Sequence, residues 1–111
     1  MTVEEFASKL NFSVLTKDTG LKKEVTGVYT GDLLSWVMSH AGSGDAWITI
    51  HTHLNIVAVA LLTDVSCIII PEGIAMEDAT LRKAEEEGIA ILGTGMGAYE
   101  ICWRSHELLC S

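Results

Sequence analysis

Two histidines stand one residue apart in the stretch Trp47-Ile-Thr-Ile-His-Thr-His-Leu-Asn-Ile-Val-Ala-Val-Ala60. Their i,i+2 spacing places His51 and His53 on one side of an extended segment. Three kinds of chemistry suit such a pair. A zinc or nickel ion accepts two imidazoles but needs one or two further ligands, for which Asp32 and Glu72 are the candidates. No HExxH, no CxxC and no third nearby histidine accompanies them, so no metal is expected. Alternatively His51 closes a strand while Thr52 or His53 caps the next helix. In the third case His53 and Asn55 hydrogen-bond the base, sugar or phosphate of a ligand.

The histidine loop is one of four with the same character. The others are Thr30-Gly31-Asp32, Pro71-Glu72-Gly73 and Gly93-Thr94-Gly95-Met96-Gly97. Each follows a hydrophobic run and is richer in Gly, Thr, Asp, His or Asn than that run. The candidate ligand-binding residues are therefore Thr30, Asp32, His51, Thr52, His53, Asn55, Glu72, Gly73, Thr94 and Gly95. Gly93–Gly97 lacks the lysine of a phosphate loop and the spacing of a dinucleotide fingerprint. No catalytic constellation emerges: Ser35 and Ser105 fall on helices without a base, and Glu85-Glu86-Glu87 reads as a solvated helix end. No enzyme activity and no cofactor are expected.

These loops need a scaffold, and the hydrophobic pattern supplies one. Val3–Leu10 reads as a helix capped by Thr2 with Glu5 three residues on. Phe12–Leu15 reads as a short strand, Asp18–Gly20 as a turn, and Val25–Tyr29 as a strand. Asp32 can cap a helix reaching about His40, with an apolar stripe of Leu33, Leu34, Val37, Met38 and Ala41. Residues Ala41–Gly44 end it. Ala46–Ile50 is a strand. Leu54–Leu62 suits a buried strand or a buried helix, and the need for a crossover decides for helix. Ser66–Ile70 is a strand apolar throughout, as when both faces are covered. Glu77–Glu87 is a surface helix with Leu81 and Ala84 inward, an Asp78–Arg82 pair, and Gly88 at its end. Ile89–Leu92 is another strand, and Ala98, Ile101, Cys102, Ser105, Leu108 and Leu109 mark one face of a last helix. The order β-α-β-α-β-α-β-α from residue 25 predicts a three-layer α/β fold, a mostly parallel sheet with helices on both faces. Ligands of such sheets bind outside the carboxyl ends of the strands, where the four loops meet.

The bulk composition narrows the partners. The 111 residues suit a single domain over 1–111, and 49% hydrophobic content with one proline suits a packed core. A formal net charge of −8 disfavours nucleic acid and anionic membranes. The start MTVEEF lacks the pattern of a secretory leader, and no apolar run approaches the roughly 20 residues of a membrane span. Cys67 reads as a buried thiol, and Cys102 and Cys110 lie eight residues apart on the last helix, which together suggest a reduced, cytoplasmic protein. Trp36 falls opposite the apolar stripe of its helix, and Trp103 falls beside Glu100, Arg104 and Glu107. A large aromatic on a polar face points to a partner surface, with a homodimer the simplest partner and a separate protein the alternative.

The segments GDLLSWVM (31–38), DAWITIHTHLNIVAVALLTDVSCIII (45–70) and AEEEGIAILGTGMGAYE (84–100) together resemble the DRTGG domain family. The resemblance implies a fold like the N-terminal domain of HPr kinase/phosphorylase. It also implies a regulatory or dimer-forming module, since such domains stand beside CBS domains in regulated pyrophosphatases and ahead of the catalytic part of some phosphotransacetylases. The chain departs from the family signature, with His51-Thr-His53 where a Gly-Asp-Arg stretch would fall and Pro71-Glu-Gly73 in place of Thr-Gly-Gly. The expected function is a homodimeric module sensing a nucleotide or phosphorylated metabolite. A protein-interaction module and a small metal-dependent enzyme using His51 and His53 stand behind it, in that order.

Overall fold

The computed structural model describes residues 1–110. Its elements, in chain order, are α1 (Val3–Leu10), β1 (Ser13–Val14), β2 (Gly27–Thr30), α2 (Leu34–His40), β3 (Asp45–Ile48), α3 (Asn55–Thr63), β4 (Cys67–Ile70), α4 (Asp78–Glu87), β5 (Ala90–Gly93) and α5 (Ala98–Cys110). They form the expected α/β fold. The sheet order is β1-β5-β4-β3-β2. Strands β2 to β5 run parallel, and β1 pairs antiparallel to β5 through Ser13↔Gly93 and Val14↔Leu92.

The topology follows from the handedness of crossovers. Strands β2 to β5 are laid down in chain order, so right-handed connections put α2, α3 and α4 on one face. Helices α1 and α5 cover the other. Alternation along the strands then divides the core in two. Ala46, Ile48, Cys67, Ile69, Ala90 and Leu92 pack with Val3, Phe6, Phe12 and Ile101. Trp47, Ile68, Ile70 and Ile91 pack with Val37, Ile56, Val57, Ala60 and Ala84. Strand β4 is apolar at every position because it is covered on both sides, with all four residues buried.

Local signals set the element ends. Thr2 and Glu5 form a reciprocal capping box on α1. Asn11 (φ 60°) and Asp64 (φ 61°) close α1 and α3 in the left-handed conformation, and Gly88 (φ 75°) does so for α4. A tight turn at Asn11 brings Phe12 back onto α1, its N–H donating to the Ala7 carbonyl, and the chain then meets the sheet edge at β5 antiparallel.

Four local expectations are corrected. Asp32 does not cap α2; Leu33 occupies that position with no side-chain bond, because the Asp32 carboxylate is turned to the next loop. Leu33 and Met38 are not in the buried stripe, being 67% and 48% exposed, and Val37 alone of that helix is buried. Helix α3 is not buried all round: Ile56, Val57, Val59, Ala60 and Thr63 are buried, while Leu54, Ala58, Leu61 and Leu62 face out. Asp78 and Arg82 do not pair; α4 carries Lys83–Glu87 at 3.1 Å instead.

Candidate functional site

The four strand-to-helix loops lie side by side at the carboxyl edge, and hydrogen bonds link each to the next. The first joins the second through Asp32, whose Oδ1 accepts from Thr49 Oγ1 at 2.8 Å and from the Ile50 N–H at 2.9 Å. The His51 Nε2–H returns the link by donating to the Asp32 carbonyl. The second joins the third where Thr52 Oγ1 donates to Glu77 at 3.2 Å and Thr80 Oγ1 donates to the Thr52 carbonyl at 2.6 Å. The third joins the fourth by backbone bonds, Glu72 N–H to the Met96 carbonyl and Gly73 N–H to the Thr94 carbonyl, both 2.9 Å. Glu72 (φ 60°) and Gly73 (φ 67°) both adopt the left-handed conformation that this turn requires.

This rim engages one ring nitrogen of each of the paired histidines. A carbonyl can only accept, so His51 Nε2 carries its proton and is committed to Asp32. His53 Nδ1 accepts from the Asn55 N–H at 3.2 Å, the first amide of α3, whose cap position is Leu54 with no side-chain bond, and this leaves the His53 Nε2–H as an outward donor. Each ring thus has one nitrogen engaged by the rim, and among the described residues no three His, Cys, Asp or Glu side chains are grouped to hold a metal. Thr94 Oγ1 is likewise used inside its own loop, accepting from the Met96 N–H. The Thr30 hydroxyl, the Asn55 amide and the Glu72 carboxylate have no hydrogen bond among the described residues and are exposed.

The monotonic strand order leaves one place where neighbouring connections diverge. The chain leaves β4 toward α4 on one face and leaves β5 toward α5 on the other, the condition for a crevice at strand ends. Here the two loops bond to each other across that gap. What remains is a shallow cavity of about 260 Å³, lined by Gly73, Ile74, Thr94 and Gly95 with Ser13 and Leu15.

A larger cavity lies elsewhere. A recess of about 560 Å³ runs between the outer edge strand β2 and α5. Thr26, just before β2, and Val28 and Thr30 of β2 line it on one side, and Tyr99, Cys102, Trp103, His106, Leu109 and Cys110 of α5 on the other. Its walls are mainly apolar and aromatic, with hydroxyls at Thr26 and Thr30 and an imidazole at His106. The guanidinium of Arg104 sits over the Trp103 ring at 4.8 Å and is held by Glu100 at 2.8 Å. Thr30 and Trp103, selected from sequence for different reasons, meet in this recess. Gly73, Thr94 and Gly95 gather at the smaller cavity, and Asp32, His51, Thr52, His53, Asn55 and Glu72 line neither.

The two candidate interface tryptophans do not share a surface. Trp36 lies on α2, in the α2–α4 layer, and stacks on His40 with centroids 4.1 Å apart. Trp103 lies on α5, on the opposite face of the sheet. The neighbouring Ser39 and His40 do not form a nucleophile–base pair. His40 Nδ1 lies 2.9 Å from the Trp36 carbonyl and so carries the proton, leaving it unable to take one from Ser39.

Sequence reading missed Tyr99 and His106. The signal was present as a second stripe on α5, Tyr99, Trp103, His106 and Cys110 at i, i+4, i+7 and i+11, beside the core stripe of Ala98, Ile101 and Ser105.

No protein family model matches the sequence, and no curated protein does. Among solved structures, the fold is similar to that of the CBS and DRTGG domains of the regulatory region of Clostridium perfringens pyrophosphatase, solved with its activator diadenosine tetraphosphate. The TM-score is 0.66 at 14% sequence identity, over 90% of this chain and 44% of that one. The chain thus spans less than half of the structure it resembles, and the likeness is one of fold.

Proposed function

We propose that the chain is a non-enzymatic regulatory module that binds a nucleotide or a phosphorylated metabolite and works as a homodimer. The recess between β2 and α5 carries this reading. Its volume of about 560 Å³ falls within the roughly 300–1,000 Å³ of small-molecule sites. The rings of Tyr99 and Trp103 offer faces for a base, and Thr26, Thr30 and His106 offer polar atoms at fixed points on strand and helix. The lining holds no Lys or Arg, so base and sugar contacts carry more of the recognition than phosphate contacts do. The fold neighbour belongs to a regulatory region crystallised with an activating nucleotide, which supports the same class of role. The three free thiols suit the reducing cytoplasm.

A thermal-shift screen with adenine and guanine nucleotides and small phosphorylated metabolites tests the proposal. A ligand at 100 times its Kd stabilises the native state by about 2.7 kcal/mol. The response is expected to vanish in Trp103→Ala and Tyr99→Ala and to survive in His53→Ala and Asn55→Ala. The reverse pattern moves the site to the rim. A screen with no response from any compound would sink the sensing role. The second reading, a protein-interaction module with no small ligand, would then stand, favoured by the outward leucines of α3.

A further inference from the structure

Helix α3 is the middle helix of its layer, flanked by α2 and α4. Its burial follows that position. Val57 and Val59 are buried on its two flanks, and Ile56, Ala60 and Thr63 are buried toward the sheet. The remaining arc of about 120°, at 100° per residue, contains Leu54, Asn55, Ala58, Leu61 and Leu62, all exposed. On a monomer's surface helix this arc is polar. Here it carries three leucines at 42%, 45% and 75% exposure and a single amide.

We infer that two copies of this chain meet through this arc, α3 packing antiparallel on itself about a two-fold axis at Ala58. The proposal rests on the homodimer of the preceding section and specifies its interface. The stripe is symmetric about its centre: Leu54 and Leu62 stand four residues to either side of Ala58, and Asn55 and Leu61 stand three. An antiparallel two-fold therefore sets Leu54 against the partner's Leu62, and the reverse, as an isologous contact requires. The small Ala58 on the axis permits an approach within the 8–10 Å of packed helices.

Charge selects the same face. The chain carries a formal −8, so two copies repel wherever charged surfaces meet. Of the described helices, α2 and α3 alone hold no Asp, Glu, Lys or Arg. The antiparallel axis lays α2 over its own copy, adding Trp36 and Met38, 58% and 48% exposed, and lays α4 over its own copy on the opposite flank, where Arg82 and Lys83 stand among the carboxylates Asp78, Glu86 and Glu87. With the α3 arc, Trp36 and Met38 offer on the order of 600 Å² of apolar surface, most of the about 800 Å² that each side of a standard interface buries.

Sedimentation velocity on the full chain is expected to show a species of twice the 12.0 kDa chain mass. Ala58→Arg sets two like charges on the axis and is expected to weaken the dimer by at least about a hundredfold. Because Ala58 is exposed, its circular dichroism spectrum should match the parent's. Leu54→Asp and Leu62→Lys should each weaken self-association, yet pair with each other when mixed. A monomeric parent, a dimer indifferent to Ala58→Arg, or charge variants that fail to pair would each overturn the interface. Nucleotide response is read on the same samples. Its loss in a dimeric Trp103→Ala points to the recess alone, and its persistence in a monomeric parent removes the dimer alone.

Discussion

Asp32 shows local preference losing to a tertiary demand. The sequence Asp-Leu-Leu-Ser-Trp offers it as a helix cap, a short-range bond. Its carboxylate instead accepts from the Thr49 hydroxyl and the Ile50 N–H of the next loop, which stitches two loops of the rim. Asp32→Ala hands the exposed Ile50 N–H to water but leaves the buried Thr49 hydroxyl without its acceptor, and is expected to cost about 1–2 kcal/mol, with Asp32→Asn costing less because an amide oxygen still accepts. Urea midpoints at unchanged slope measure this. A loss confined to α2 helicity, with little change in midpoint, would restore the capping role. Gly20 makes a parallel case. The Asp18–Gly20 turn is legible as a turn, but its neighbour is not: a Cβ on Gly20 would lie 2.7 Å from the Gly88 carbonyl oxygen and 2.9 Å from the Ala90 nitrogen, at φ +67°. Both are backbone atoms that cannot step aside. Gly20→Ala is expected to destabilise by more than the roughly 1 kcal/mol of an ordinary glycine change, seen as a lower Tm, whereas Gly95→Ala, with open space around it, should not.

Elements with strong local codes are the ones the sequence announces. Helix α1 has its cap written into Thr2 and Glu5, and α4 its stop in Gly88. The direction of β1 and the outward arc of α3 are not written locally, because both depend on which neighbour lies alongside. The second stripe of α5 is written, but it competes with the core stripe and becomes a recess wall only once β2 is placed opposite. The α1 cap carries a pH signature. The backbone N–H of Thr2, and then its hydroxyl, hold the Glu5 carboxyl below its ordinary value of 4.5. A depressed carboxyl contributes stability that is present above that value and is lost as pH falls through the folded-state pKa. Glu5→Gln should therefore be less stable than the parent at neutral pH, with the gap closing below pH 4.5. Chemical denaturation at a series of pH values reads the difference, and a gap that widens in acid would contradict the cap. Thr2→Ala, which removes the hydroxyl partner, should cost about 1 kcal/mol at neutral pH.

At the scale of the whole molecule, the α/β layering was legible because alternating strands and helices leave few topologies open. The recess was not, since it depends on α5 crossing to the face opposite α2–α4 and ending over the sheet's outer edge. That same arrangement binds the molecule into one unit. The two cores share the strands β3, β4 and β5, each strand giving alternate residues to either side, so neither core can loosen without exposing the strands the other packs on. Cys67 sits at this junction on β4, at 0% exposure, and burial pushes its thiol up to about 12. Only the thiolate reacts with an alkylating agent, so in the native state Cys67 should stay unmodified while the exposed Cys110 is labelled quickly. Across a urea series, pulse labelling of Cys67 read by peptide mass should follow the loss of helical circular dichroism with one midpoint. Labelling of Cys67 at lower urea than the helical transition would mean that the α1/α5 side opens while the α2–α4 side holds. In that case the recess would sit on a separable layer, able to order when its ligand binds.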